Sequence, residues 1–358
     1  MTVFPGPAPD QSPGDGDAGT LTDEQAVLDA ASDIIEDVTE GELAPEDVAA
    51  MEHLDNPRRV VFVHAHPDDE TIATGATMAR YTASGASVTL VTCTRGELGE
   101  VIPDELAHLE GSEELADHRV QELATAMEAL GVTDHRFLGD DATDAEGRPT
   151  PVRYRDSGMV WTDAGTAGPA PDVLPDAFAL VDVDEAAAHL ARVLRETRPQ
   201  VVVTYEPGGG YGHPDHVQAH AVTMRAAELA ADPDHGVDVP WQVTKVYWSV
   251  VPASVAAAEA AELAAHGLAD ATEPAVRPSV VVPDGEVTTE IEASAQRDAK
   301  AAALRAHATQ VVVGDGAFAL SNGRWHPLRT TEHYRIAVGN SHPGVDGGFE
   351  QDLFAGIV

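Results

Sequence analysis

Three short apolar runs constrain this chain more than anything else in it: Val60-Val61-Phe62-Val63-His64, Ser87-Val88-Thr89-Leu90-Val91-Thr92-Cys93 and Gln200-Val201-Val202-Val203-Thr204-Tyr205. They are rich in β-branched residues and nearly continuous. Strands of this kind are covered on both faces, so the runs predict a mostly parallel sheet between layers of helix. Helical segments lie between and after them, over residues 72–84, 113–130 and Leu180–Thr197 and from Asp215 onward, and His135–Gly139 reads as a further short strand. The predicted class is therefore α/β, with a mostly parallel sheet and helices on both faces. Chemistry in such folds gathers at the carboxyl ends of the strands.

The pattern changes beyond residue 250. Ser279–Val282 and Val287–Ile291 flank Pro283-Asp284-Gly285 and read as a hairpin. An Ala-rich helix is expected over residues 294–307, with strands at Gln310–Val313 and His333–Val338. Residues 251–358 are thus expected to form a smaller C-terminal α+β portion completing the site, beside a main domain over residues 58–250. Residues 1–57 read as an acidic extension. Its first 20 residues, rich in Pro, Gly and Asp, are expected to be disordered. A helix is expected over residues 22–38, where Thr22 and Gln25 have capping-box spacing, and a second near Pro45.

The chain of 358 residues carries 21 Lys and Arg against 61 Asp and Glu, a formal charge of −40. That charge repels phosphate backbones and anionic bilayers, so neither nucleic acid nor membrane is an expected partner. No apolar run reaches transmembrane length, and the N-terminus has no basic and apolar signal pattern. The one cysteine, Cys93, cannot form an internal disulfide, and a cytoplasmic location is expected. Oligomeric state is not legible.

Two charged segments sit directly after Val-rich strands: His66-Pro67-Asp68-Asp69-Glu70 and His213-Pro214-Asp215-His216. A catalytic zinc takes three His, Asp or Glu ligands and keeps one position open. His66 and Asp69, three apart at a strand-to-helix turn, can face one ion, and His216 is the best candidate for the third ligand. Asp68 between them stays free to act as general base. Pro67 and Pro214 stiffen the two loops. Gly208-Gly209-Gly210-Tyr211-Gly212 imitates a dinucleotide loop without completing its pattern, and reads instead as backbone passing close to substrate and metal.

At these residues the sequence resembles the PIG-L-like (LmbE-like) family of zinc N-deacetylases. His64-Ala65-His66-Pro67-Asp68-Asp69-Glu70 is similar to its first signature and His213-Pro214-Asp215-His216 to its second. The resemblance extends over residues 58–358. Val91–Thr94, Gly99–Val101, Arg155–Met159, Gly210–Gly212 and Ala306–Val311 are similar to the branch acting in mycothiol biosynthesis. The resemblance implies a Rossmann-like fold and removal of acetyl from the 2-amino group of N-acetylglucosaminyl-inositol, a small glycosyl-inositol substrate. It implies one Zn2+ per subunit on His66, Asp69 and His216, with Fe2+ or Co2+ acceptable to the same donors. Asp68 would be the base, His213 would stabilise the oxyanion and protonate the leaving amine, Asp215 would orient His213, and Tyr211 would polarise the carbonyl. Glu100, Arg119, Asp156, Met159 and Gln310 would contact the sugar and inositol hydroxyls. Three features depart from the family pattern: a shorter loop between Val101 and Arg119, Glu206 in place of Asp, and the acidic extension.

Three other readings fit the same residues. One is a mycothiol S-conjugate amidase, with the same metal chemistry. Another is a deacetylase of a different acetamido-sugar. The third is a non-catalytic, metal-dependent sugar-binding protein, which an Asp68→Asn variant would separate from an enzyme.

Overall fold

A computed structural model of the chain describes residues 57–143, 147–162, 166–236, 238–268, 281–344 and 347–357. The expected disorder and helices of the N-terminal extension lie outside these residues, as does the start of the expected strand at Ser279. Strand β1 (Arg59–His64) leads through helix α1 (Asp69–Ala83) to β2 (Ser87–Thr92), and helix α2 (Glu113–Leu130) leads to β3 (Asp134–Phe137). A small two-stranded sheet, β4 (Met159–Trp161) with β5 (Ala167–Pro169), precedes α3 (Val183–Thr197), β6 (Val201–Tyr205), α4 (Pro214–Ala231), β7 (Lys245–Pro252) and α5 (Ala253–Ala265). The chain then forms β8 (Val281–Val282), β9 (Thr289–Glu292), α6 (Arg297–Ala306), β10 (Val312–Val313), β11 (Ala317–Ala319), β12 (Trp325–Pro327) and β13 (Thr331–Val338).

The main sheet has the order β3-β2-β1-β6-β7-β13-β9, with β8 beside β7. The pairs from β3 through β7 and the β7–β8 pair are parallel, while β13 runs antiparallel to both β7 and β9. Burial explains why the strands are apolar on both faces. Val61, Val63, Val91 and Val202 pack with Leu190 and Leu194 of α3 and Val222 of α4. Val60, Phe62, Leu90 and Val203 point the other way, against Met78 of α1 and Leu123 and Met127 of α2. Each such side chain, fully buried, contributes about 1.5–3 kcal/mol.

β1 pairs with β2 on one side and β6 on the other, so the connections leave it in opposite directions. A crevice therefore opens at the carboxyl ends of β1 and β6, where both charged segments begin.

Two expectations are corrected here. β8 and β9 do not form a hairpin with each other: β8 pairs with β7, β9 pairs with β13, and the residues between them include a 3-10 turn at Asp284–Glu286. Strand β7 was not anticipated, and the expected boundary at residue 250 falls inside it. Residues 57–358 form one compact unit, in which β13 and β9 extend the main sheet and β10, β11 and β12 make a separate small one. Among the described residues no helix is long and apolar enough to cross a membrane.

Candidate active site

The chain leaves β1 through a turn that its own side chains hold in an unfavourable shape. Asp68 has φ 114°, and only one other described non-glycine residue, Arg198, has positive φ. Such a backbone costs about 1–3 kcal/mol and persists only where neighbours enforce it. Here the Asp68 N–H donates to Glu70 Oε2 at 2.9 Å, and the Pro67 carbonyl accepts from Arg119 Nη2. The turn brings Asp69 back toward His66: Asp69 Oδ2 accepts the His66 backbone N–H at 3.0 Å and lies 3.1 Å from His66 Nδ1.

The second segment starts where β6 ends at Tyr205. The Glu206 carboxylate accepts the N–H groups of Gly208 at 2.7 Å and Gly210 at 2.8 Å, which folds the glycine loop back on itself. Gly209 has φ +64°, and a Cβ there would lie 2.8 Å from His216 Cβ, so no other residue fits without displacing that histidine. The Gly209 carbonyl takes a hydrogen bond from His216 Nδ1 at 3.1 Å. A carbonyl can only accept, so Nδ1 carries the proton and the Nε2 lone pair is left over. That Nε2 is buried, makes no hydrogen bond and lies 3.2 Å from Asp69 Oδ2. The Tyr205 ring stacks on His216 with centroids 4.3 Å apart and fixes its plane.

His66 Nδ1 and His216 Nε2 thus converge on one carboxylate oxygen at 3.1 and 3.2 Å. Tetrahedral donors about 2.0–2.1 Å from a zinc ion stand roughly 3.3 Å apart, so the nitrogen–oxygen spacings fit a shared ion. His213 lies close by, and His66, His213 and His216 form a group with ligand atoms within 4.8 Å of one another. The donor set and the orphaned Nε2 could hold a divalent cation.

The surrounding charges favour a cation strongly. His66 Nε2 lies 3.1 Å from Asp215 Oδ2 and 3.7 Å from Asp156 Oδ1. Burial pushes the His66 imidazole down, but Asp156, Asp215 and Asp69 together hold it well above its usual range. A divalent ion must displace that proton before Nδ1 can ligate. Asp69 is held well below the carboxylate range: burial opposes this, and His216 and His66 outweigh it. Burial lifts Asp68 to about 7, with Asp69 and Glu70 adding to the effect and Arg119 and His307 opposing it. Burial, His66 and His216 push His213 down to about 2, so its ring is neutral.

Asp215 differs from expectation. Its carboxylate does not reach His213; it bonds His66 Nε2, the Ser157 N–H at 2.9 Å and the Ser157 hydroxyl. The contact with His213 is made by the Asp215 backbone N–H, which donates to His213 Nδ1 at 3.1 Å. The reason is helix geometry: His213 is the N-cap of α4, and Asp215 offers one of the free N–H groups of its first turn. With Nδ1 accepting, the His213 proton sits on Nε2.

Among the expected substrate-contact residues, Asp156 sits beside His66, Met159 begins β4 half-buried, and Glu100 is exposed. Arg119 is only 3% exposed. Its Nη1 donates to the Gly96 carbonyl at 2.5 Å and its Nη2 lies 3.4 Å from Asp68 Oδ2. Gln310 reaches the same region, since a Cβ on Gly99 would lie 2.6 Å from its Oε1 and 2.8 Å from Arg119 Nη1. Tyr211 is half-buried, with its ring 5.0 Å from that of His216 and 5.6 Å from that of Trp161. Sequence reasoning missed Tyr205, Ser157, Glu70 and His307. Glu70, Ser157 and His307 lay inside quoted motifs, but nothing in the order of residues links Tyr205 to His216 or His307 to Glu70.

Comparison with known proteins identifies the family. The PIG-L family, described as GlcNAc-PI de-N-acetylase, matches residues 61–227. A Kineococcus radiotolerans protein named 1D-myo-inositol 2-acetamido-2-deoxy-alpha-D-glucopyranoside deacetylase is 54% identical over 99% of this chain and 98% of its own length. That alignment takes in the N-terminal extension, beyond the expected extent of the resemblance. A Streptomyces scabiei protein of the same name is 52% identical over 84% of this chain and 90% of its own. The solved N,N'-diacetylchitobiose deacetylase of Pyrococcus horikoshii aligns with a TM-score of 0.48 and 17% identity, covering 86% of this chain and 99% of its own. The chain belongs to the PIG-L family of de-N-acetylases.

Proposed function

We propose that the chain is a metal-dependent hydrolase that removes the acetyl group from N-acetylglucosaminyl-inositol, releasing acetate and glucosaminyl-inositol for mycothiol biosynthesis. The observation carrying the chemistry is the convergence of His66 Nδ1 and His216 Nε2 on Asp69 Oδ2, with the Asp68 carboxylate one residue away. The substrate follows from relatives at 54% and 52% identity that bear that deacetylase name.

In this reading His66, Asp69 and His216 hold one Zn2+, or Fe2+ in its place. Bound there, the ion would supply polarisation of the acetamide carbonyl and a water whose pKa is lowered to about 7. Asp215 accepts from His66 Nε2 and so keeps Nδ1 unprotonated as a ligand. Asp68 takes a proton from the attacking water. The His213 Nε2–H donates to the oxyanion that develops on the carbonyl, with the Tyr211 hydroxyl as a second donor; one such donor is commonly worth about 3–4 kcal/mol. A neutral His213 has a single ring proton, and giving it to the leaving nitrogen would leave an imidazolate. Asp68, near 7, is the better source of that proton. Asp156, Met159, Glu100 and Gln310 line the approach for sugar and inositol hydroxyls, Arg119 backs it, and the chain after residue 250 completes the wall. The single buried thiol suits a cytoplasmic setting.

Assaying the purified protein side by side on N-acetylglucosaminyl-inositol and on a mycothiol S-conjugate tests the substrate. The expected result is a higher kcat/KM for the acetamido-sugar. A preference for the conjugate assigns the chain to the amidase reaction instead.

A further inference from the structure

Glu70 and His307 take no part in the reaction as drawn, yet both are wholly buried against it. His307, at the end of α6, places Nε2 2.8 Å from Glu70 Oε1, and the Thr71 hydroxyl donates to that same oxygen at 2.5 Å. Glu70 Oε2 is thereby left for a different task, accepting the N–H of Asp68 at 2.9 Å. Asp68 is the residue with φ 114°, and its side chain makes no capping hydrogen bond to the helix it precedes.

The other end of the pair is anchored as firmly. Glu122 on α2 accepts the backbone N–H of Thr309 at 2.7 Å and its hydroxyl at 2.6 Å. The His307 carbonyl accepts the N–H groups of Gln310 at 3.0 Å and Val311 at 2.9 Å. One turn earlier on α2, Arg119 grips the Pro67 carbonyl. The backbone at Pro67-Asp68 is therefore gripped from two sides, by Arg119 and by the Glu70–His307 pair. Buried ion pairs are often replaceable by apolar side chains without loss of stability. A pair kept for stability alone has no need to commit one carboxylate oxygen to the amide of a strained residue.

We propose that Glu70 and His307 are positioning residues that fix the backbone of Asp68 and so aim its carboxylate at the reacting centre. This rests on the reading of Asp68 as the general base.

The test is steady-state kinetics with metal counted in the same samples, for Glu70→Ala, Glu70→Gln, His307→Gln and Asp68→Asn, alone and combined. A misaimed base should lower kcat roughly 10- to 100-fold in Glu70→Ala. KM should stay within about twofold and one metal ion per chain should be retained. Glu70→Gln keeps an oxygen for the Asp68 N–H and should lose only several-fold in kcat, well short of the loss in Glu70→Ala. In the Asp68→Asn background Glu70→Ala should lower the residual turnover no further, because the pair acts only through Asp68. If Glu70→Ala does not fold, Glu70→Gln and His307→Gln give the same reading on a smaller scale, a several-fold kcat loss that vanishes in the Asp68→Asn background. A loss that follows metal content or KM, or that persists undiminished in that background, overturns the proposal. So does an unchanged kcat in all three single variants while Asp68→Asn falls to a small residual turnover. Full turnover by metal-loaded Asp68→Asn overturns the base reading, and the clamp with it.

Discussion

Replacing Asp215 by alanine separates two roles for one carboxylate. In the structure it accepts from His66 Nε2 at 3.1 Å, from the Ser157 N–H at 2.9 Å and from the Ser157 hydroxyl, and it is fully buried. Without it, nothing holds the His66 proton on Nε2, and the tautomer with the proton on Nδ1 can no longer ligate beside Asp69. Loss of such a carboxylate partner typically costs 10- to 100-fold in metal affinity, about 1.4–2.7 kcal/mol. The Ser157 N–H also loses its acceptor, which adds about 1–3 kcal/mol of folding destabilisation. The assay is competition with a chelator of known affinity, run well below the unfolding transition, beside kcat at saturating metal. Asp215→Asn is the control: one oxygen can still accept from both His66 and Ser157, so its affinity should fall by less. Wild-type metal affinity in Asp215→Ala together with a large fall in kcat would refute the reasoning and return the carboxylate to the oxyanion side of the site.

Arg119→Lys removes a fork that reaches the Gly96 and Pro67 carbonyls from one planar group, which an ammonium cannot replace; kcat should fall with KM nearly unchanged, and a rise in KM alone would make Arg119 a substrate contact. Lys300 Nζ is buried 2.6 Å from Glu332 Oε1, so Lys300→Ala leaves a buried carboxylate without its cation and should destabilise the fold by about 3–5 kcal/mol in denaturant titration; a change below about 1 kcal/mol would mean that the N–H groups of Ala76 and Thr77 and the Tyr334 hydroxyl satisfy the carboxylate on their own. As the proposed base Asp68 must be deprotonated; burial lifts it to about 7, and a cation on Asp69 would pull it back down. Hence kcat/KM should fall as pH drops, with an acid limb below about 7, and a profile flat down to about pH 4 would contradict that.

Much of the fold was legible because β1, β2 and β6 are covered on both faces, which makes them continuous apolar runs that no amphipathic helix imitates. The region after residue 250 was harder for the same physical reason in reverse. β8 and β9 are short and look like hairpin partners in sequence, but each completes its ladder on a long strand elsewhere. The Val246–Val251 run of β7 carried the same apolar signal as β6 and was passed over. At the site, the convergence of His66, Asp69 and His216 followed from two motifs placed after two strands. The partner of Asp215 did not, because the choice between its carboxylate and its backbone N–H is made by the cap of α4. The His307–Glu70 contact joins residues 237 positions apart, and no spacing within either segment announces it.

The central claim is that His66, Asp69 and His216 hold the ion that makes Asp68 a hydrolytic base. Amine release from N-acetylglucosaminyl-inositol, with the metal content of the same sample measured for wild type, His216→Ala and Asp68→Asn, tests it most directly. The account predicts turnover with one ion per chain in the wild type, loss of both ion and turnover in His216→Ala, and a bound ion with only a small residual turnover in Asp68→Asn. Full metal occupancy and turnover in His216→Ala would contradict it.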